Sequence, residues 1–434
     1  MSTSILPGEP TLSHEQQAAL QQIQESTFGG RLIFVTGRAG TGKSTLLRHL
    51  RNTLELKSVT VAPTGIAALN AGGQTIHSFF NFPLGPMDPE TAEIPLFRGG
   101  HPKSRLINAL QLIYLDEISM VRADLLDAIS ISLRKNRQSE YPFGGVPIVA
   151  FGDIWQLEPV VGSPAEREFL AHHYNSPFFF DSQIVKDMGI DVIELKTVHR
   201  QATDPDFLYV LDQIRSGDPQ ELDLINSRVA PPASPETLTL TVTNARANFI
   251  NNQHLMELPA TEVHYKAKVE GNFGRELPAE ETLRLKPGAR VMFIKNSTEW
   301  VNGSLGTVIS TAESSVQVQL DEDNKLVEVK PELWEKSRYQ WDRSRNQIVT
   351  EPIGSFTQLP LKLAWAITIH KSQGLTFDQI HIDLDRPAFS HGQVYVALSR
   401  CRTLAGMSLT RAVNLNDLII NPATLAFAHQ AGLT

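Results

Sequence analysis

The eight residues Gly37-Arg-Ala-Gly-Thr-Gly-Lys-Ser44 have the spacing G-x-x-x-x-G-K-S. That spacing suits one ligand chemistry. Small residues let successive backbone N–H groups close around the phosphates of a nucleotide, Lys43 reaches the β- and γ-oxygens, and the Ser44 hydroxyl supplies a ligand to Mg²⁺. Gly37, Ala39, Gly40, Thr41, Gly42, Lys43, Ser44 and Thr45 are therefore the candidate ATP-binding residues. A phosphate loop also needs a second strand ending in an acid that holds the metal, and Leu110-Gln-Leu-Ile-Tyr-Leu-Asp116-Glu117 supplies it. Asp116 falls at the carboxyl end of a buried parallel strand, where open α/β sheets place ligands. Glu117 directly after it is suited to deprotonate a water attacking the γ-phosphate. Water as acceptor points to an ATPase rather than a small-molecule kinase, and the chain has no Asn-Lys-x-Asp with which to read guanine.

Three further groups have the right types for the same chemistry. Ser13-x-x-Gln16 precedes an amphipathic stretch through Leu20 and Ile23. It reads as a helix capping box, and equally Gln16 has the amide donor and acceptor to read the edge of adenine; the residues leave both open. Phosphoryl transfer leaves charge on the γ-phosphate that one lysine does not neutralise, so an arginine from across a cleft is expected. Arg200, in Val198-His-Arg-Gln, and Arg400, in Val396-Ala-Leu-Ser-Arg, are the candidates. Finally, the apolar run ending at Thr368 is followed by His370, Lys371, Ser372, Gln373 and Gly374. Donors without matching carboxylates suit an acceptor-rich ligand such as a sugar-phosphate backbone or a nucleotide, and a lone histidine there lacks the partners of a metal site.

The elements that must position these groups alternate as in an α/β protein. The β-branched and apolar run from Leu32 to Thr36 reads as a strand, the glycine loop follows, and Leu46, Leu47 and Leu50 continue at helical spacing. The chain has 434 residues, room for about three units of ordinary size. Its 41% hydrophobic and 20% charged residues are a globular composition, and its one cysteine, Cys401, rules out a disulfide framework. No apolar run is long enough for a membrane span and the first fifteen residues carry no leader pattern, so a soluble, cytoplasmic protein is expected, with the nucleus left open. A net charge of −8, from 39 basic and 47 acidic residues, speaks against coating nucleic acid electrostatically. It leaves room for a narrow channel that grips a strand with few charges.

Read in order, nine segments form a set: Leu12-Ser-His-Glu-Gln, the glycine loop, Ala62-Pro-Thr-Gly-Ile-Ala-Ala-Leu-Asn, Gly73-Gln-Thr-Ile-His-Ser-Phe-Phe, Leu115-Asp-Glu-Ile-Ser-Met-Val, Gly152-Asp-Ile-Trp-Gln-Leu-Glu-Pro-Val, Val198-His-Arg-Gln, Trp365 through Asp378, and Val396-Ala-Leu-Ser-Arg. From residue 12 to about residue 402 the set resembles the motifs of the Pif-type (petite integration frequency) DNA helicases, in class B of helicase superfamily one and related to RecD. The resemblance implies two RecA-like P-loop lobes with parallel sheets, moving 5′ to 3′ along single-stranded DNA at the expense of ATP with Mg²⁺. It implies adenine reading for Gln16, γ-phosphate sensing for Arg200 and Arg400, coupling of γ-phosphate to DNA for Gln156, nucleotide contact for Gly374, and DNA contact for Pro63, Thr64, His77, Ser78, Phe79, Thr368, His370 and Lys371.

The same resemblance divides the chain into a first lobe (1–78 and 103–184), a Pro- and Gly-rich wedge insertion (79–102), a second lobe (185–295 and 358–434) and a small SH3-like β-barrel insertion (296–357). In the wedge, Phe82 or Phe97 is the candidate splitting edge. In the barrel, Ser315-Val-Gln-Val-Gln-Leu and Leu326-Val-Glu-Val alternate as antiparallel strands. The partners implied are single strands and single-strand/duplex junctions, with G-quadruplex DNA open; a monomer in solution is expected, with pairing on DNA open, and no membrane. The chain departs from the family's third motif at Ile154, Trp155 and Glu158, where Glu158 puts a negative charge near the expected DNA path. The rival reading is a P-loop regulatory ATPase that acts on a protein partner without moving on DNA.

Overall fold

The structure is a computed structural model that describes residues 12–433 except 27–29, 84, 89–93, 99–100, 199–203, 218, 220–221, 275–276, 343–346 and 386. The first lobe is built on a six-stranded, wholly parallel sheet: β1 (Leu32–Gly37), β2 (Ser58–Ala62), β3 (Gln74–Thr75), β4 (Leu112–Leu115), β5 (Ile148–Phe151) and β6 (Asp191–Leu195), in the spatial order β3-β2-β4-β5-β1-β6. β1, β4 and β5 are buried along their whole length, which is why they read as continuous apolar runs rather than alternating ones. Because β5 lies between β1 and β4, the loop that leaves β5 at Gly152 sits between the phosphate loop and Asp116. The helices that dress this sheet include α1 (His14–Ser26), α2 (Lys43–Thr53), α3 (Gly65–Asn70), α4 (Ile76–Phe80), α5 (Pro102–Ala109) and α6 (Ala123–Arg137).

The second lobe is a four-stranded parallel sheet in the spatial order Ala366–Thr368, Thr239–Thr241, Ile380–Asp383, Met407–Leu409. Two parallel sheets with helices agree with the α/β class expected. The lobes are joined by more than the chain. The C-terminal helix Pro422–Ala431 lays Phe427 on the first lobe, stacked on Phe180 at 4.4 Å and edge-on to Phe179.

The antiparallel insertion is wider than the 296–357 span expected. Its five-stranded sheet, in the order 326–329, 316–320, 305–311, 290–293, 361–363, draws a strand from each side of that span. Arg290–Phe293 is buried at every position and Leu361–Leu363 is a three-residue strand, so neither carries a legible alternation, whereas Val316–Leu320 and Leu326–Val329 alternate as read. A long hairpin, Glu332–Asp342 with Gln347–Gln358, leaves this sheet and pairs with Lys268–Gly271. It reaches the first lobe, packing on α4 and α5, and Leu69 of α3 joins Phe273, Trp334 and Phe356 in one apolar cluster.

The Pro- and Gly-rich segment after α4 is pinned to α6. Met87 N donates to Asp124 Oδ2 at 2.8 Å, Phe97 N to Asn136 Oδ1 at 2.7 Å, and Arg122 Nη2 to the Gly85 carbonyl at 2.6 Å. Neither Phe82 nor Phe97 forms an exposed edge. Phe82 is buried and stacked on Phe80 at 5.2 Å, and Phe97 is buried and stacked on His101 at 5.2 Å. Burying each ring removes about 2 kcal/mol worth of apolar surface from water, and irregular backbone has few other means of being held. Among the described residues of this segment, Leu96 is an exposed large apolar side chain.

Candidate active site

The phosphate loop folds as its glycines require. Gly40 and Gly42 take φ of +87° and +82°, and a Cβ on Gly37 would lie 2.4 Å from the Leu195 carbonyl oxygen, so strand β6 approaches too closely for any side chain. Gly42 is the N-cap of α2, whose N–H groups open toward the loop. Lys43 Nζ donates to the carbonyls of Gly37 (2.6 Å) and Arg38 (3.0 Å), inside the cradle. Ser44 is exposed and Thr45 half-buried at the first turn of α2, while Ala39 and Thr41 are buried.

Gln16 satisfies its capping reading in full. Ser13 N donates to Gln16 Oε1 at 2.9 Å and Gln16 N to Ser13 Oγ at 3.2 Å. The other end of the amide ties α1 to the phosphate loop, Nε2 donating to the carbonyls of Thr41 (3.4 Å) and Gly42 (3.2 Å). Its neighbour Glu15, which the sequence reading passed over, accepts from Lys196 N and Thr197 N at 2.7 and 3.0 Å. The chain leading toward residue 200 is thereby fastened to α1. Arg200 itself lies outside the described residues.

Asp116 and Glu117 leave the end of β4 together. Burial pushes the Asp116 carboxyl up, with the Glu117 backbone N–H and Lys43 opposing. Glu117 adopts φ +53°, an uncommon backbone for a non-glycine residue, and burial first, then the Asp116 charge, push its carboxyl up to about 7. Arg400 is among the cations opposing that shift. The Arg400 guanidinium is 1% exposed and held by its own lobe, Nε donating to the Val396 carbonyl (2.9 Å), Nη2 to Ser399 Oγ (2.7 Å) and Nη1 to the carbonyls of Ser372 (3.5 Å) and Leu375 (3.3 Å).

A run of polar contacts crosses between the lobes. Gln373 Nε2 donates to Glu117 Oε2 at 3.2 Å and to Gln156 Oε1 at 3.1 Å. Gln156 Nε2 donates to Asp153 Oδ2 at 3.1 Å, Tyr395 OH to the same oxygen at 3.5 Å, and Ala39 N of the phosphate loop to Tyr395 Oη at 3.5 Å. Arg215 Nη2 lies 3.9 Å from Asp153 Oδ1 and the guanidinium sits over the Trp155 ring, while Arg38 pairs with Asp212 at 2.8 Å. Asp153, Tyr395, Arg215 and Gln373 were not singled out for these contacts from the sequence. The signal available for Asp153 and Tyr395 was their place inside matched motifs.

The expected strand-contacting residues divide. Thr64 caps α3, accepting from Ala67 N at 3.2 Å, beside half-buried Pro63. In α4 the i, i+3, i+4 spacing turns Ile76, Phe79 and Phe80 inward, leaving His77 and Ser78 half-buried at the surface. Phe79 is thus a core residue and not a stacking platform, and Lys103 Nζ sits 5.0 Å from its ring centre. Thr368 is buried as well and caps the next turn, accepting from Lys371 N at 3.3 Å. In the second lobe Lys371 is exposed, and burial pushes the pKa of half-buried His370 down. Lys362 is pushed down to about 7 by burial and by the charge of Lys371, and among the described residues neither lysine has a carboxylate partner. Gly374 lies on the exposed side of the same turn at φ +81°.

Residues 11–223 match the family model described as PIF1-like helicase. A relative from Bdellovibrio bacteriovorus named ATP-dependent DNA helicase Pif1 is 32% identical, over 97% of this chain and 92% of its own length. The chain belongs to the PIF1-like helicase family. The human relative, ATP-dependent DNA helicase PIF1, is 34% identical over 92% of this chain, which spans 60% of the length of that protein. Among solved structures, Bacteroides sp Pif1 in complex with ADP-AlF4 matches with a TM-score of 0.89 at 37% identity, covering 98% of this chain and 97% of that one. Bacteroides Pif1 bound to ssDNA, 38% identical and covered at 97% on both sides, matches at 0.70. The arrangement of this PIF1-like chain is therefore nearer to the first of these than to the strand-bound form.

Proposed function

We propose that this PIF1-like chain is an ATP-dependent 5′→3′ DNA helicase and translocase. The observation that carries the reading is that the second lobe closes on the phosphate loop, Tyr395 meeting Ala39 N and the buried Arg400 placed among the charges around Glu117. A nucleotide held between two lobes has different affinity for their open and closed states, which is what converts hydrolysis into movement. Lys43 and the loop N–H groups hold the phosphates, Glu117 takes the proton of the attacking water, and Arg400, with Arg200, neutralises the γ-phosphate as charge develops. Ser44 and Asp116 are hard oxygen donors that suit Mg²⁺. No group of three or more His, Cys, Asp or Glu side chains able to hold a metal occurs among the described residues, so the ion fits as one that arrives with the nucleotide, whose phosphates and waters fill the remaining positions.

The strand is taken to run past Pro63, Thr64, His77 and Ser78 on one lobe and His370 and Lys371 on the other. Few cations line that path, and the adjacent Lys362 and Lys371 favour an anion between the lobes. The antiparallel sheet and hairpin serve as the SH3-like accessory unit, and the segment 79–102 as the wedge. Relatives support DNA as partner, one Pif1 structure being bound to ssDNA and another described as two coordinating helicases at forked dsDNA.

The test is ATP turnover with and without single-stranded oligonucleotide, followed by unwinding of duplexes tailed on one side only. Strand-stimulated turnover that Lys43→Ala abolishes, and unwinding of the 5′-tailed substrate, are expected. Turnover indifferent to DNA would instead favour a regulatory ATPase acting on a protein, and unwinding of the 3′-tailed substrate alone would refute the polarity. Forked against G-quadruplex substrates then separates the structural preference.

A further inference from the structure

The turn after the strand Ala366–Thr368 touches three things at once. His370 and Lys371 are the residues assigned above to the DNA strand. The carbonyls of Ser372 and Leu375, on either side of Gln373, accept from Arg400. The Gln373 side chain reaches across the cleft and donates to Glu117 Oε2 and Gln156 Oε1. All this rests on a single 3₁₀ turn, His370–Ser372, closed by Gln373 N donating to the His370 carbonyl at 3.3 Å and by Ser372 Oγ donating to that of Ile369 at 2.7 Å. A turn so short and so tied at both ends moves as a unit.

We propose that Gln373 is a positioning residue that restrains ATP hydrolysis until a strand is bound. The inference rests on the helicase reading for the meaning of His370 and Lys371. A carboxylate oxygen that accepts from an amide N–H across the cleft is turned toward the second lobe, and the lone pair occupied by that bond is not available to take a proton from water. The same amide holds the acceptor of Gln156, one of whose own N–H groups donates to Asp153. Two groups that have to face the γ-phosphate and its water are therefore tied to the second lobe. A backbone phosphate engaging Lys371 displaces the turn, and with it the Gln373 amide, so that Glu117 and Gln156 are released together. Arg400, fastened to the same turn by two carbonyls, shifts in the same movement. Strand binding and readiness for hydrolysis thereby become one conformational event rather than two.

The experiment compares the full chain with Gln373→Ala and Gln373→Leu, measuring ATP turnover with no DNA and with saturating oligothymidylate. The DNA-free kcat of both variants is expected to rise about tenfold, the factor equivalent to ~1.4 kcal/mol, with the DNA-bound kcat and the KM for ATP little changed, so the stimulation ratio falls by the rise in the DNA-free rate. A residue with only a packing role would lower both rates together. Gln373→Leu keeps the side-chain volume should the alanine variant fail to fold. A DNA-free rate at or below that of the unaltered chain overturns the restraint. Failure of the helicase reading would be seen separately, as an unaltered chain whose turnover ignores DNA, whereas the restraint is read from the DNA-free rate of the variants.

Discussion

Gly392 packs so tightly against Trp155 that a Cβ on it would lie 2.3 Å from the Trp155 carbonyl oxygen, and 2.6 Å from that of Gln156. Its φ of +69° already favours glycine. This is where the loop leading into the helix Gln393–Leu398, which carries Tyr395 toward the phosphate loop, meets the loop that leaves β5. Gly392→Ala is expected to cost roughly 2–4 kcal/mol, the left-handed backbone and the overpacking both contributing. Thermal melting checks the cost, and an unchanged melting temperature would show that the two loops do not pack this closely.

His391, one residue earlier, is held as a neutral ring. Nε2 donates to the Ile154 carbonyl at 2.8 Å and Nδ1 accepts from Asn421 N at 3.0 Å, and burial pushes its pKa down despite opposing acids and backbone bonds. His370 and His381 are pushed down by burial as well. Each folded-state pKa lies below the value of about 6.5 in the unfolded chain, so the unfolded state takes up protons first. Their contribution is complete above that pH and is lost as pH falls toward the folded-state values. Melting temperature is expected to drop between pH 7.5 and 5.5, and His391→Gln to flatten that slope; an unaltered slope would place the titration elsewhere.

All three guanidinium nitrogens of Arg400 donate to groups of its own lobe. Arg400→Lys keeps the charge but not the planar fork. If the residue stabilises charge on the γ-phosphate, kcat is expected to fall by roughly 10²–10⁴ with nucleotide affinity changed little. Carbonyls left without a donor add a stability loss of about 1–3 kcal/mol. Loss of stability with an intact kcat would make Arg400 a structural residue only.

The hairpin packs on the lobe that carries Thr64, His77 and Ser78, with Leu69 in its apolar cluster. A strand entering there competes with that contact. Leu69→Ser removes about 1–2 kcal/mol of apolar packing and is expected to tighten binding of a single-stranded oligonucleotide severalfold by shifting the population toward the open form. Fluorescence anisotropy titration checks this; affinity that is unchanged or weaker would mean that the hairpin does not obstruct the strand.

Much of the nucleotide site was legible because its chemistry is local. The glycines of residues 37–42, Lys43 and Ser44 are contiguous, and Asp116-Glu117 is announced by the apolar run of β4. The Ser13-to-Gln16 box was legible for the same reason, whereas the bonds from the Gln16 amide to the carbonyls of Thr41 and Gly42 were not. Phe82 and Phe97 were not legible as core. An aromatic in an irregular, glycine-rich segment has the same sequence signature whether it is exposed at a fork or pinned beneath its own loop, and the partners that decide, Asp124 and Asn136, lie on a helix that follows.

What the sequence determined by itself was thus the identity of the parts: a phosphate loop, a strand-end acid pair, a donor-rich turn and an arginine-bearing helix, each specified by short-range backbone and side-chain demands. Only the tertiary structure decided how they meet. Gln373 reaches Glu117 across 256 positions of chain and Ala39 meets Tyr395 across 356, because two separate parallel sheets present their loops to a common cleft. No local propensity encodes that placement. It follows from the cores that join the lobes, Phe427 on Phe180 and Gly392 against Trp155, and the coupling between strand and nucleotide proposed here is a property of that junction.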